Sequence, residues 1–456
     1  MGMGDYRRIA DRVAGDIASG RLRPGQQLPP QRVFARQRGI AGSTAGRVYA
    51  ELVRRGLVVG EVGRGTFVRA AAAGPYGQAI VEAATSAPVN LELNYPSAPG
   101  QSELLAPALA PLLRPDVLTE ALRPAPATGT AAAREAVSEL LATPTWCPAP
   151  ERILFTGNAR QAIAATLASL VRPGGRVGVE PLTYPLVREI AGRLGVTLVA
   201  LEADEDGQLR PESVVAAHRT APLSALYLQP TLHNPTSVTT SAERRGEIAD
   251  VVRELGLPVV EDRIWSFLHP DSPAPLAAYA PGLVHVVDGL SKRVAPGLTV
   301  GFLVVPEGRV EAVGAAVRSG GWSAGRFALE AGVRWTVDGT VGRLVAAKRA
   351  DAAARQRLVA EELGGFAVRA DPLTYYAWWE LPVPWRADTF TAAAAAHGIA
   401  VTPGTAFGVD PKVTPDAVRL GLASAAVPDL RRALRTLAAL AGGAGAGTPV
   451  RDGRIG

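Results

Sequence analysis

Three of the 48 basic residues in this 456-residue chain are lysines, and one of them, Lys292, lies in the run Asp288-Gly289-Leu290-Ser291-Lys292-Arg293-Val294-Ala295-Pro296-Gly297-Leu298. A lysine amine can condense with a carbonyl to give a Schiff base; an arginine, always protonated, cannot. A chain that otherwise uses arginine but keeps lysine here needs a chemical reason, because an ammonium among apolar strands is costly to bury. Other reactive side chains sit in short polar motifs: the carboxylate of Asp262 after Val259-Val260-Glu261, the amide of Asn234 in His233-Asn234-Pro235-Thr236, and the phenol of Tyr184 in Glu180-Pro181-Leu182-Thr183-Tyr184. Arg419 lies in Val418-Arg419-Leu420-Gly421, and Thr156-Gly157-Asn158-Ala159-Arg160-Gln161 reads as the opening of a helix.

Several of these motifs follow short β-branched runs. Candidate strands are 152–155, 176–179, 225–228, 259–261, 284–287 and 300–305, separated by segments of helical length. That alternation predicts an α/β domain with a mostly parallel sheet, covered by helices on both faces. Ligands of such sheets bind outside the carboxyl ends of the strands, where these motifs fall, so one shared site is expected.

The first 69 residues read differently. They hold 13 Arg against five Asp or Glu, a formal +8, whereas the whole chain is +6, so the remainder is near −2. A confined positive excess is expected of a module that meets phosphate. Tyr6, Ile9, Ala10, Val13 and Ile17 recur at helical spacing and predict a helix over 5–19. A second helix is predicted over 31–38, opened by Leu28-Pro29-Pro30 and stopped by Gly39. A third, capped by Ser43 or Thr44, buries Val48 and Leu52. Leu57-Val58-Val59 and Thr66-Phe67-Val68 predict two strands with a turn, Glu61-Val62-Gly63-Arg64-Gly65, between them.

This N-terminal layout resembles the GntR family of winged helix-turn-helix regulators through Gly20-x-Leu22-x-Pro24-Gly25, Leu28-Pro29, Arg32, Gly39, Tyr49-x-x-Leu52, Gly56 and Gly63-Arg64-Gly65-Thr66-Phe67-Val68. The resemblance implies that Arg32, Ser43, Thr44 and Arg47 approach double-stranded DNA, with Arg64 on the wing. Helix N-terminal amides suit phosphates, and arginines reach phosphates or guanine edges. In the family an arginine usually precedes the small polar pair of the third helix; here Gly42 stands there.

From residue 91 onward the chain resembles fold-type I aminotransferases, which use pyridoxal 5'-phosphate (PLP). The two parts together are similar to the MocR subfamily of GntR regulators. The resemblance implies that Lys292 carries PLP as a Schiff base, Asp262 binds its pyridine nitrogen, Asn234 donates to its phenolic oxygen, and Tyr184 stacks on its ring. It also implies that Ala159, Arg160 and Ser291 lie at the phosphate, and that Arg419 clamps a ligand carboxylate in a bidentate pair. Three positions depart from the family. Gly289 replaces a serine and Thr299 an arginine, both phosphate contacts, and Trp265 replaces a tyrosine. Without that hydroxyl, more negative charge should remain on the phenolic oxygen. Arg160 stands where glutamine is frequent and could supply the missing phosphate charge.

The expected organisation is a winged helix-turn-helix over 1–69, a linker over 70–90, a PLP-binding aminotransferase-like domain over 91–441, and a Gly-rich tail over 442–456 without fixed structure. The function expected is DNA binding controlled by PLP itself or by an amine that reacts with Lys292-bound PLP. The family also implies a homodimer in which each N-terminal module contacts the partner's large domain. A working aminotransferase with a passenger DNA-binding module, and a regulator that has lost PLP and senses another small molecule, remain alternatives. No apolar run approaches the ~20 residues that span a bilayer, and the start lacks a signal-peptide core, so a cytoplasmic protein is expected. A single cysteine, Cys147, excludes an internal disulfide and any multi-cysteine metal site.

Overall fold

The computed structural model describes residues 5–18, 21–22, 26–55, 57–61, 65–68, 87–297, 300–410 and 415–443. The N-terminal module contains helices α1 (Asp5–Ala18), α2 (Gln31–Arg38) and α3 (Gly42–Arg54), and strands β1 (Gln27–Leu28), β2 (Val58–Glu61) and β3 (Gly65–Val68). Ile9, Val13, Phe34, Val48, Leu52, Val58 and Val68 form its core, and the Tyr49 hydroxyl donates to Pro29 O at 2.5 Å. Gly39 stops α2 in the left-handed conformation, φ 62°. The strands order β1-β3-β2, all antiparallel. β1 is two residues long, too short for an alternating pattern to reveal it.

Two local expectations change. Neither Ser43 nor Thr44 caps α3. Ala41 is the cap residue, its carbonyl accepting from the amides of Thr44 and Ala45. No side-chain oxygen caps this end, so Ser43 and Thr44 lie in the first turn. Glu61 belongs to β2 and pairs with Gly65 rather than opening the turn; Arg64 lies outside the described residues.

The large domain is built on a seven-stranded sheet of β5 (Ile153–Thr156), β6 (Arg176–Val179), β7 (Thr197–Ala200), β8 (Ala225–Leu228), β9 (Val259–Asp262), β10 (Val284–Gly289) and β11 (Gly301–Val304). The spatial order is β5-β11-β10-β9-β8-β6-β7, and only β11 runs against its neighbours. All six expected strands are present within one or two residues at their ends. The seventh, β7, is an edge strand with exposed ends and carries no buried apolar run. Apolar side chains cover both faces, one cluster around Phe155, Phe302 and Trp335, the other around Ile163, Tyr227 and Leu303.

A second, antiparallel sheet was not separated by the sequence pattern. It consists of β12 (Val368–Ala370), β13 (Tyr376–Glu380), β15 (Thr402–Pro403) and β16 (Ala417–Gly421), in the order β12-β13-β16-β15. Its core holds Trp379, Phe390, Leu420 and Leu434, supplied in part by helices Ala387–Ala396 and Val427–Gly443. The last two residues of the expected linker form strand β4 (Val89–Asn90), which pairs in parallel with β14 (Ile399–Ala400). At the other end, the final helix continues to Gly443, two residues into the expected tail; residues 444–456 lie outside the described set. No described helix is long and apolar enough to cross a membrane.

Candidate cofactor and effector site

Strands β5, β6, β8, β9 and β10 run in the same direction, so their carboxyl ends share one edge of the sheet. Thr156, Glu180, Gln229, Asp262 and the Lys292 loop all lie there. Two hydrogen bonds set the loops between them. The Gln229 amide donates to Glu180 Oε1 at 2.7 Å, tying β6 to β8. The Asn234 main-chain N–H then donates to Gln229 Oε1 at 2.8 Å, which fixes the turn carrying Asn234. His233 bridges Thr236 Oγ1 at 2.7 Å and Leu182 O at 3.0 Å. Burial lowers its pKa to about 4, so it is a neutral structural link.

Asp262 is buried at the end of β9. Its carboxylate accepts from the Tyr227 hydroxyl at 2.6 Å and the Ile264 amide at 3.0 Å. Burial raises its pKa to about 6, against the pull of those two donors. Glu180, with Oε2 unpartnered, is pushed to about 7 for the same reason. The Tyr184 phenol feels the charges of Arg160, Asp262 and Arg419 and lies near Tyr95, and burial raises its pKa. Five groups from widely separated segments therefore share one neighbourhood.

Lys292 occupies the short helix Leu290–Arg293 at the end of β10. Its ammonium donates to Asn94 O at 2.7 Å and lies 4.5 Å from the Tyr95 ring centroid and 5.2 Å from that of Trp265. Trp265 is buried against Tyr376 and Tyr375, with centroids 5.6 and 6.5 Å away. Behind the loop, buried Asp288 accepts from the Gly289 amide and from Arg293.

The helix Ala159–Leu170 begins beside this loop. Asn158 caps it, its side chain accepting from the Gln161 amide at 3.0 Å. Gly301 on β11 packs directly under Asn158 and is register-paired with Gly289. A Cβ on Gly289 would stand 2.8 Å from Val300 O. The missing serine of the Lys292 loop thus reflects how closely the loop packs on β11. Ala159 is buried, Ser291 half-buried and Arg160 exposed; Thr299 lies outside the described residues.

Arg419 in β16 faces Trp378 across β13 and Thr402 across β15. Its guanidinium is buried, donates to Glu92 O and to Thr402 Oγ1 at 3.1 Å, and lies 5.4 Å from the Phe407 ring centroid. Burial lowers its pKa to about 10, and its Nε has no acceptor among the described residues.

Residues 89–95 run through this site. Leu91 joins β14 and β16 by main-chain bonds with Ala400 and Gly421. Glu92 O receives Arg419 and Asn94 O receives Lys292, while Asn94 Oδ1 accepts from the Ala423 amide at 3.1 Å. Sequence reasoning missed Asn94 and Tyr95, which no periodicity marks, and also Tyr227, Glu180 and Gln229, which read as strand and turn residues.

On the N-terminal module, Arg32, Ser43 and Arg47 are exposed and Thr44 half-buried, around the uncapped start of α3. An uncapped helix start beside exposed arginines can bind phosphate.

Residues 119–437 match the family described as aminotransferase class I and II, and residues 5–68 match the bacterial regulatory proteins of the gntR family. The chain is 29% identical over 419 residues to the uncharacterized HTH-type transcriptional regulator YdeF of Bacillus subtilis, covering 91% of this chain and 90% of that one. It is 25% identical over 304 residues to the HTH-type pyridoxine biosynthesis transcriptional regulator PdxR of Corynebacterium glutamicum, covering 66% and 65%. Among solved structures, the α-aminoadipate aminotransferase LysN of Thermus thermophilus, complexed with N-(5'-phosphopyridoxyl)-L-leucine, superposes with a TM-score of 0.70 at 22% identity, covering 78% of this chain and 93% of that one. That likeness is one of fold.

Proposed function

The chain belongs to the aminotransferase class I and II family, and with a gntR-type module in front of that domain we propose that it is a MocR-type transcriptional regulator whose DNA binding responds to PLP or to an amine that reacts with PLP at Lys292. When bound, PLP supplies an electrophilic carbon that exchanges amines. The residues present suit it. Lys292 offers the amine, Asp262 a carboxylate for a protonated ring nitrogen, Tyr184 an aromatic face, and the helix start at Asn158 and Ala159 free amides for a phosphate, with Arg160 and Ser291 beside it.

The observation that carries this reading is that four buried polar atoms on the segments assembled at this edge of the sheet have no partner among the described residues: Asn234 Oδ1, Asn94 Nδ2, Thr183 Oγ1 and Arg419 Nε. Buried polar atoms are rarely left unsatisfied, so unpartnered atoms on the loops that carry Lys292's neighbours fit a polar ligand. Asn234 is held by its main-chain N–H, which donates to Gln229 Oε1, while its side-chain Oδ1 has no partner among the described residues. Arg419 Nε has no acceptor among the described residues while its Nη2 donates to Glu92 O and Thr402 Oγ1, so a carboxylate taken at that edge would compete with Glu92 O; such a carboxylate favours an amino acid or related ligand as the amine. Trp265 walls the lysine without a hydroxyl to donate. That, together with the absent serine at 289, argues for a binding device rather than an efficient transaminase.

DNA recognition is assigned to Arg32, Ser43, Thr44 and Arg47, with Arg64 on the wing, in a cytoplasmic homodimer. The test is the visible absorption of the protein with added PLP, in the parent and in Lys292→Ala. A band that depends on Lys292, together with a PLP-dependent change in DNA affinity, is the expected result. Steady turnover of an amino donor with a keto acid would favour an enzyme instead, and no band at saturating PLP would mean that the pocket takes a different ligand.

A further inference from the structure

Lys348 is the second lysine of the described chain, and the proposed function does not use it. It lies on the helix Thr340–Leu363, fully buried, with a relative exposure of 0%. Its ammonium donates to three main-chain carbonyls: Lys292 O at 3.0 Å, Arg293 O at 3.0 Å and Val294 O at 2.7 Å. These are the last carbonyls of the four-residue helix that carries Lys292 and of the residue that ends it.

An ammonium has three protons, and here each finds its own acceptor. Carbonyls at a helix C-terminus lack intrahelical partners and carry partial negative charge, which a cation satisfies. No ion pair involves Lys348 among the described residues; its charge is met by these dipoles. Its own backbone is held from behind, the Tyr375 hydroxyl donating to Lys348 O at 2.7 Å. Two turns away, Arg355 and Gln356 on the same helix bind main-chain oxygens of Thr374, Tyr376, Leu422 and Ala425. The next residue, Arg349, donates to Phe267 O at 2.7 Å, beside Trp265.

We propose that Lys348 is a positioning residue for Lys292. By fixing the carbonyls of residues 292–294 it sets the backbone from which the Lys292 side chain projects, and holds the amine where the pocket needs it. A four-residue helix has few bonds of its own to keep that geometry. An apolar side chain at 348 would leave these three carbonyls, those of Arg293 and Val294 buried, without this donor, and the loop would relax. The proposal rests on Lys292 being the ligand-binding amine, but its structural half can be tested without any ligand.

The experiment uses the full-length protein and two readouts. Amide hydrogen exchange without ligand is expected to be at least tenfold faster in residues 290–297 of Lys348→Met, with 259–262 and 284–287 unchanged, and to recover in part in Lys348→Arg. In PLP titrations, Lys348→Met is expected to weaken binding at least tenfold when Lys292 is present, and to change it less than twofold in a Lys292→Ala background. Unchanged exchange at 290–297 would overturn the proposal. So would equal weakening of PLP in both backgrounds, which marks a packing residue, or a loss of protection throughout the large domain that Lys348→Arg does not repair. A parent protein with no Lys292-dependent band overturns the PLP reading alone; the exchange result still decides the role of Lys348.

Discussion

The Arg386 guanidinium lies over the Phe67 ring, 4.4 Å from its centroid, and joins the N-terminal module to the smaller sheet's layer. Alternation along β3 explains why the ring is available: Val68 points into the module's core, so Phe67 points out of it. Arg386 is the cap residue of Ala387–Ala396, whose Phe390 packs on Trp379 with centroids 5.3 Å apart. The residue before Trp379, Trp378, is the register partner of Arg419.

A shift of the β13–β16 pair on ligand binding therefore has a packed route to the wing strand. A cation–π contact is worth at least about 0.5–1 kcal/mol. Phe67→Ala should bring the ratio of DNA affinities with and without PLP closer to one by roughly two- to fivefold, if the contact contributes its full energy to coupling. Fluorescence anisotropy with labelled operator DNA measures this; a ratio equal to the parent's would show that the contact lies outside the coupling.

Gly289→Ser restores the side chain frequent in the family, yet it should not strengthen PLP binding. The new Cβ would lie 2.8 Å from Val300 O, so the loop or β11 must move. Overpacking of this kind costs about 1–3 kcal/mol. Thermal melting of the ligand-free variant should show the loss, and a PLP titration should show affinity no better than the parent's. A tighter titration with unchanged stability would contradict the packing argument.

Glu180 and Asp262 make the large domain sensitive to pH. Their folded pKa values, about 7 and about 6, lie above the ordinary carboxylate range because both are buried. The folded state therefore takes up these protons first. The stabilisation is fully present below the unfolded pKa values near 4 and is lost as pH rises through 6 and 7. Glu180→Gln keeps an acceptor for the Gln229 amide and removes the buried charge. It should stabilise the protein at pH 8 by on the order of 2 kcal/mol and do little at pH 4.5. Melting curves across that range would expose the error if the variant were less stable at both ends.

Arg47 stands exposed one turn beyond the uncapped start of α3. If it contacts phosphate, Arg47→Ala should weaken binding to all DNA sequences alike and lower the slope of log K against log salt by about 0.9. A loss confined to one base position, with the salt slope unchanged, would instead assign Arg47 to base reading.

Legibility of the chain followed burial and periodicity. The six strands that run through the core were readable because both faces are covered and their apolar runs are unbroken. β7 and β1 were not, one being an exposed edge and the other two residues long. Asp262, Asn234, Tyr184 and Lys292 could be found because each follows a readable strand. Asn94, Tyr95 and Lys348 could not, since their partners lie far away in sequence: Lys292 and Ala423 for Asn94, Lys292 and Ser424 for Tyr95, and the carbonyls of 292–294 for Lys348. The cap of α3 was misread because Ala41 satisfies the helix start through its carbonyl alone, which no residue preference reports.

The course of residues 89–95 bears on how a ligand could speak to DNA. This stretch follows the segment between the two modules, and the two side chains proposed to read the ligand both donate to it: Arg419 to Glu92 O and Lys292 to Asn94 O. A ligand that claims the amine and the guanidinium takes both donors from the peptide at once. On the proposed function, the signal carried toward the DNA-binding module would be a release of these two bonds, its strength set by how completely the ligand outcompetes the chain's own carbonyls.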